Sequence, residues 1–247
     1  MYLVKPGWKT LRMGMTPWEE VDGLSVLKVI EDLGRKCYKS EGAATKDSAK
    51  AFVQKRMDQG HIALLDHLHV MAEYISDRGI SHEWLRHKLT EMLGSGIFNS
   101  SYDWGPMAAV QESTRYCNYT KSGGVVFIIP PWVDIKEGEY HEGDLESDHI
   151  FNTTTQVNKI WFQNCFNSEN VYNAEISLGW TPQQARGDLL IKTKTEFVVT
   201  CSISEWRHIF TQRTSNAAHP QMRELMDPQL KDFQNKIPVI FDDIEAF

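Results

Sequence analysis

No stretch of about 18 consecutive apolar residues occurs in this chain, so no membrane-spanning helix and no membrane partner are expected. The first residues, MYLVKPGWKTLRMG, lack the apolar core of a secretory signal. Cysteine is sparse: Cys37, Cys117, Cys165 and Cys201 are scattered and form no C-x-x-C pair. Reduced thiols in a cytoplasmic protein are therefore expected. There is no internal repeat and no low-complexity linker. There is also no G-x-G-x-x-G and no G-x-x-x-x-G-K-[ST], so neither a Rossmann domain nor a P-loop is expected. Any nucleotide must then be held by side chains. The net charge of −7 argues against a protein that coats nucleic acid. It leaves open a small anion bound by a few inward-facing arginines.

A zinc helix is missing too, although ISHEWLRHKL at Ile80–Leu89 resembles one at first sight. A zincin helix needs H-E-x-x-H, with both histidines on one face. Here His82 and His87 stand five residues apart, which at about 100° per residue separates them by roughly 140°. The neighbouring His61, His67 and His69 have no Cys pair or carboxylate to complete a set, so no metal is expected. The plain reading is a partly buried helix with satisfied histidines. Any chemistry in the stretch must then come from its arginine.

What is present is ordinary for a globular protein: 247 residues, 41% hydrophobic and 24% charged. That length is enough for one large domain or two small ones. Residues 21–36 carry an apolar stripe of Val21, Leu24, Leu27, Val29, Ile30 and Leu33 and read as a helix. Residues 46–60 read as a second, with Asp47 or Ser48 near its N-cap and Gly60 just past its end. Residues 68–77 read as a strand, followed by a helix with Ser81 as N-cap. Residues 94–106 read as a loop, GVVFIIPPW as a short strand stopped by prolines, and KEGEYHEGDLESD as a solvated acidic loop. Residues 148–179 carry apolar positions at mixed helical spacing. TPQQAR opens a helix with Pro at a first helical position. KTKTEFVVTCS alternates as a strand does. SEWRHIFTQRT and HPQMRELM read as helices.

Arginine is concentrated with hydrogen-bonding partners in three places. These are Arg86-His87-Lys88, then QESTRYCNY at Gln111–Tyr119, then a C-terminal group of Arg186, Arg207, Arg213 and Arg223. The guanidinium fork suits a phosphate or the carbonyl edge of a pyrimidine. Any single arginine is most simply a surface charge in a weak ion pair. Arg86, Arg115 and Arg213, however, sit among Trp, Tyr, Phe and Ser rather than in runs of Glu and Lys.

The blocks GHIALLDH, ISDRGISHEWLRHK, QESTRYCNY, QQARGDLL and EWRHIFTQRTSNAAHPQMREL resemble the flavin-dependent thymidylate synthases, in the same order over most of residues 35–225. The resemblance implies an α+β fold without a Rossmann domain, in which residues 1–247 form a single mixed α/β domain. It implies a homotetramer with active sites where subunits meet. It implies transfer of a methylene from methylenetetrahydrofolate to C5 of dUMP, with FAD reduced by NADPH. By position, Glu83, Arg86, Gln111, Ser113, Thr114, Arg115, Arg186 and Arg213 are implied to bind dUMP, with Arg186 and Arg213 also catalytic. Asp66, Arg86, His87, Lys88, Ser202 and His208 are implied to bind FAD. Thymidylate synthases that use folate alone need a cysteine, typically after a proline, and none of the four cysteines here follows one.

The chain departs from the family pattern in three ways. The basic triplet ends in Lys88 where Arg is usual, which keeps the charge and loses the fork. Residues 89–110 insert length between RHK and QESTRY, and carry Phe98, Tyr102 and Trp104. Ser202 and Ser204 stand where many members have Asn and Arg. Two further readings therefore stand beside dTMP synthesis. One is a flavoenzyme making another C5-modified pyrimidine nucleotide, such as a hydroxymethylated one. The other is a nucleotide-binding homologue without catalysis.

Overall fold

The structure, a computed structural model, describes residues 1–84, 107–141, 143–144 and 155–246. Its elements in chain order are β1 (Tyr2–Val4), β2 (Gly7–Met13), β3 (Thr16–Pro17), α1 (Gly23–Tyr38), α2 (Ala49–Asp58), β4 (His69–Asp77), α3 (residues 78–84), β5 (Met107–Gln111), β6 (Val126–Ile128), β7 (Gly138–Glu139), α4 (Gln156–Ser177), α5 (Pro182–Ala185), β8 (Lys194–Ser202), α6 (Ile203–Arg213) and α7 (Pro220–Lys236). A five-stranded sheet has the order β3-β2-β4-β8-β5, and a three-stranded sheet the order β6-β1-β7. This is a mixed α+β fold with no Rossmann arrangement. Among the described residues no helix is long and apolar enough to cross a membrane.

The chain divides into two compact units. One comprises Met1–Gly7, Tyr74–Arg86 and Val110–Phe197, and the other Trp8–Glu73, His87–Ala109 and Val198–Phe247. In the first unit, β1 runs parallel to β6 and antiparallel to β7. Its core gathers Leu3, Val125, Phe127, Ile129, Phe162, Phe166 and Tyr172. The Met1 amine is buried against Glu169 at 3.0 Å, and the same carboxylate accepts the Val125 amide at 2.9 Å. Gly124, at φ +117°, makes room for that carboxylate, because a Cβ there would lie 2.8 Å from Glu169 Oε1.

In the second unit, α1 starts at an Asp22 cap that accepts the Ser25 amide at 3.0 Å. Val26, Leu27 and Ile30 are buried, while Leu24 and Val29 of the expected stripe face outward. Gly34 lets α2 approach closely, since a Cβ would meet the Phe52 ring at 2.6 Å. Ser48 precedes α2, but its hydroxyl donates to Glu31 of α1 at 2.7 Å instead of capping its own helix. Helices α6 and α7 pack through Trp206, Phe210 and Phe233, with Phe233 reaching Trp18 and Phe241.

Three sequence expectations change. Helix α3 is capped by Asp77, whose Oδ1 accepts the Ile80 amide at 2.8 Å, so Ser81 lies inside the helix and is not its N-cap. The acidic loop contains the strand β7, because its backbone pairs with β1. Residues 107–110, the end of the inserted segment, belong to the edge strand β5. The strands β1 to β3 had no reading from sequence, being short and weakly alternating. The rest of the insertion, with Phe98, Tyr102 and Trp104, lies outside the described residues, as does the expected loop at 94–106.

Candidate active site

In the first unit, the sequence-derived residues gather where β5 ends. The ladder to β8 continues one residue past the strand, with the Glu112 amide donating to the Glu196 carbonyl at 2.8 Å. The chain then turns: the amides of Tyr116 and Cys117 both donate to the Ser113 carbonyl, at 3.2 and 3.0 Å. This turn carries Ser113 and Thr114, both half-buried, and Arg115, which is exposed. Arg115 Nε donates to Gln183 Oε1 at 2.9 Å, and its guanidinium lies 5.5 Å from the Tyr116 ring centre. Gln183 sits on α5, a four-residue helix with Pro182 at its start and a Thr181/Gln184 capping box. Arg186 follows three residues after Gln183 and is exposed. The turn is thus tied to α5 through Arg115 and Gln183, and Arg186 follows at the end of that helix.

Behind this turn lies a charged cluster that the sequence did not single out. Glu112 accepts the Tyr119 hydroxyl at 2.6 Å and faces Lys194 Nζ at 3.4 Å. Lys194 also pairs with Glu196. Burial, then the hydrogen bond and charge of Glu112, push the Tyr119 hydroxyl well above its ordinary pKa, so it stays a neutral donor. Burial pulls the Lys194 ammonium down, but its bond to Glu196 and the charges of Glu112 and Glu196 outweigh this and raise it overall. Arg78 Nη2 donates to the Glu112 carbonyl at 3.1 Å, while its buried Nε finds no acceptor among the described residues. Glu112 was within sight, being the neighbour of Gln111 in a quoted block. Tyr119 and Arg78 also lie in quoted blocks, whereas Lys194 carried no signal beyond residue type, because only the pairing of β5 with β8 brings it there.

Gln111 and Glu83 complete this unit's set. Gln111 Nε2 reaches Ser81 Oγ at 2.7 Å and Thr195 Oγ1 at 3.0 Å. Glu83 is half-buried on α3, two residues past Ser81.

In the second unit, Asp66 and Ser202 meet. Asp66 lies in a 3-10 turn at Ile62–His67, and its Oδ1 accepts the Ser202 hydroxyl at 3.2 Å and also the Ser204 hydroxyl. Ser202 is the N-cap of α6 and accepts the Glu205 amide at 3.3 Å. The Ile203 amide bonds the Leu68 carbonyl at 2.8 Å, which pins the start of α6 beside the turn that carries Asp66. His208 is exposed one turn after Ser204, on the same face, and contacts Gln212 at 2.9 Å. Arg213 lies five residues beyond His208, half-buried in the last turn of α6, where a cation suits the helix dipole. Arg207 is occupied structurally: it grips Asp243 with two bonds of 2.6 and 2.7 Å and also the Ile240 carbonyl. Arg86, His87 and Lys88 lie outside the described residues. Among the described residues no group of three or more His, Cys, Asp or Glu could hold a metal.

The comparison with known families decides the relationship. The family model described as "Thymidylate synthase complementing protein" matches residues 24–239. The chain belongs to the flavin-dependent thymidylate synthase family. Curated flavin-dependent thymidylate synthases resemble it over most of its length. That of Corynebacterium glutamicum is 28% identical over 236 residues, covering 92% of this chain and 82% of the relative. That of Mycobacterium leprae is 27% identical over 239 residues, with the same two coverages. This flavin-dependent thymidylate synthase family member is therefore an enzyme of that class.

Solved structures agree on the fold. The UMP/dUMP methylase PolB from Streptomyces cacaoi, bound with 5-Br dUMP, aligns at a TM-score of 0.67 and 15% identity, covering 98% of this chain and 96% of that one. Thymidylate synthase X from Helicobacter pylori, with FAD and dUMP, aligns at 0.64 and 16%, covering 96% and 99%.

Proposed function

We propose that this enzyme transfers and reduces a one-carbon unit from methylenetetrahydrofolate to C5 of dUMP, giving dTMP, with FAD as cofactor and NADPH as reductant. The observation that carries the reading is the family match over residues 24–239, within which Arg115, bonded to Gln183 of α5, and Arg186, which follows α5, are both exposed. In this reading Ser113, Thr114 and Arg115 hold the nucleotide phosphate. Glu83, Gln111, Arg86, Arg186 and Arg213 complete the dUMP site, and Arg186 and Arg213 polarise the pyrimidine. Positioned guanidinium groups stabilise charge that develops on a ring carbonyl without any protein nucleophile.

The donor set around Asp66 fits the hydroxylated part of FAD. A carboxylate whose Oδ1 already takes the Ser202 and Ser204 hydroxyls can still accept from sugar hydroxyls through its other oxygen, but its negative charge repels a diphosphate. Asp66, Ser202 and His208 are assigned the hydroxylated portion, and Arg86, His87 and Lys88 the anionic one. Bound flavin supplies the hydride chemistry. The side chains place it.

We further propose that residues 1–247 work as one functional domain, in a cytoplasmic homotetramer without nucleic-acid or membrane partners. Helix α4 supports self-association, since Val157, Ile160, Val171 and Leu178 recur along one exposed face that a second copy would cover. The test is direct. Protein loaded with FAD under argon should lose its flavin absorbance on addition of NADPH. With dUMP and methylenetetrahydrofolate it should then give a product of dTMP mass. A hydroxymethylated mass, or no flavin change at all, would refute the assignment.

A further inference from the structure

The net charge of the chain is −7, yet residues 35–56 carry seven basic side chains and only two acidic ones, Glu41 and Asp47. Arg35 is spent on Glu31 at 2.6 Å. Lys36, Lys39, Lys46, Lys50, Lys55 and Arg56 form no ion pair with any described residue. In the second unit, α1 and α2 lie side by side and run in the same direction: Ser48 meets Glu31, Phe52 faces Gly34, and Arg56 covers Tyr38. Their last turns therefore end together. Both close with the same pair of backbone bonds, Ser40 to Arg35 at 3.0 Å and Lys39 to Lys36 at 3.4 Å in α1, His61 to Arg56 at 2.9 Å and Gly60 to Met57 at 2.8 Å in α2. The left-handed position of this closure is Gly60 in α2, at φ +72°, but Lys39 in α1, at φ +49°.

Arg56 is clamped at this joined end. Its guanidinium lies 4.4 Å from the Tyr38 ring centre and 5.0 Å from that of Phe52. Its buried Nε has no hydrogen-bond partner among the described residues. Tyr38 shares a hydrogen bond with His61 Nδ1, and the two rings are nearly parallel, at 15° and 6.1 Å. His61 leads directly into the Ile62–His67 turn that carries Asp66. The neighbouring acids have other partners: Gln54 holds Asp58 at 2.9 Å, and Arg35 and Ser48 hold Glu31. Cations at a helix C-terminus complement its dipole, which accounts for some of these residues. It does not account for Lys50 in the first turn of α2, where the dipole disfavours a cation, nor for an arginine fixed between two rings with its charge uncompensated.

We propose that the joined ends of α1 and α2 form a receptor for the oligocarboxylate tail of the folate co-substrate, with Arg56 as its central contact and Lys36, Lys39 and Lys55 around it. The assignment rests on the folate reading given above. A folate ends in a glutamate, at the end of the molecule far from its reacting methylene. Each further glutamate linked to the γ-carboxyl adds one negative charge at a regular interval. A series of separated charges suits separated cations on a surface, whereas a single phosphate needs donors that converge on one point. The fixed guanidinium takes one carboxylate through two parallel bonds, and the flexible lysines follow the charges beyond it. The acidic surface elsewhere repels the same tail and directs it to this end.

The experiment is calorimetric titration of the FAD-loaded protein with tetrahydrofolate carrying one, three or five glutamates, in low and in high salt. Affinity should rise at least about tenfold from one glutamate to five in low salt, and most of that gain should vanish in high salt. In the Lys36→Gln/Lys39→Gln/Arg56→Gln variant the ratio of the five-glutamate to the one-glutamate affinity should fall close to one, with the flavin absorbance of the parent retained. The Lys36→Gln/Lys39→Gln variant leaves the Arg56 stack intact and should lose part of the gain, which keeps the test open if the triple variant does not fold. Equal binding of all three forms by the parent overturns the proposal. So does a ratio that survives in both variants. A proportional loss for every form together with a lower melting temperature marks these residues as helix caps only and overturns it too. A raised NADPH Michaelis constant with the glutamate ratio untouched gives Arg56 to the 2′-phosphate of the reductant, against the proposal. Failure of every form to bind removes the folate reading and this assignment together, whereas normal binding of the one-glutamate form with no gain from a longer tail removes this assignment alone.

Discussion

Ser202 donates its hydroxyl to Asp66 Oδ1 at 3.2 Å across 136 residues of chain. The bond joins the N-cap of α6 to a 3-10 turn, and both ends carry polar groups suited to the hydroxyls of a flavin. Asp66→Ala should therefore weaken FAD binding by about tenfold, the value of one or two hydrogen bonds. Ser202→Ala should do the same and also lower stability by about 1 kcal/mol through the lost cap. Flavin fluorescence quenching and thermal melting measure the two effects separately. Unaltered FAD affinity in both variants would remove this cluster from the cofactor site.

The three assigned arginines should behave alike toward nucleotide. A charge-assisted bond contributes about 1.5–3 kcal/mol, so Arg115→Ala, Arg186→Ala and Arg213→Ala should each weaken dUMP binding by about one to two orders of magnitude. Gln183→Ala should have a smaller effect, because it only orients Arg115 through the 2.9 Å bond. Calorimetry on the four variants gives the order, and a Gln183 loss as large as that of Arg115 would contradict it.

No thiol should be required. Cys165 and Cys201 are fully buried, and burial pushes the Cys165 thiol up to about 11, so it is protonated at neutral pH and a poor nucleophile. Titration of the native protein with a disulfide reagent should label Cys37 first, because it is exposed. Cys165 and Cys201 should react only after denaturation. Turnover should survive each Cys→Ser change that leaves the fold intact. An inactive but folded and flavin-loaded variant would indicate covalent catalysis.

The C-terminal segment should be tied to pH through Arg207 and Asp243. The hydrogen bond from Arg207 holds the Asp243 carboxyl below its usual range, against a smaller opposing effect of burial. A carboxylate with a depressed folded pKa contributes its full stability above the ordinary value of about 4 and loses it as pH falls through the folded value. The Asp243 side chain is 61% exposed, so solvent screening keeps the contribution below about 1 kcal/mol. Asp243→Asn should lower the melting temperature at pH 7 by about one to three degrees. The gap to the parent should close in acid. A gap that stays constant down to pH 2 would mean that the loss is one of packing rather than charge.

The helices and the strands β4 and β8 were legible because their signals are local. The boundaries of α2, β4, β8 and α6 follow from periodicity and from Gly60 and the polar caps, all of which act within a few residues. The short strands β1, β3 and β7 were not legible, since two or three residues hold no period and their pairing partners lie far along the chain. The same division runs through the site. Ser113, Thr114 and Arg115 are neighbours in sequence and could be read as a group. Lys194 and Thr195 could not, because an ordinary strand lysine or threonine becomes part of a site only when β8 pairs with β5.

By itself the sequence determined the element types, the family motifs, the absence of a glycine-rich nucleotide loop and the chemistry on offer, which is arginine, amide and hydroxyl without a proline-linked cysteine. These are properties of residue identity and short spacing. Only the tertiary structure decided that Asp77 and not Ser81 caps α3, that Arg207 is spent on Asp243, and that Gln111 meets Ser81 and Thr195. Each of those depends on which single proton or lone pair remains once a partner distant in the chain has taken its share. Hydrogen-bond capacity is finite, and its allocation is set by proximity in space, which no local pattern encodes.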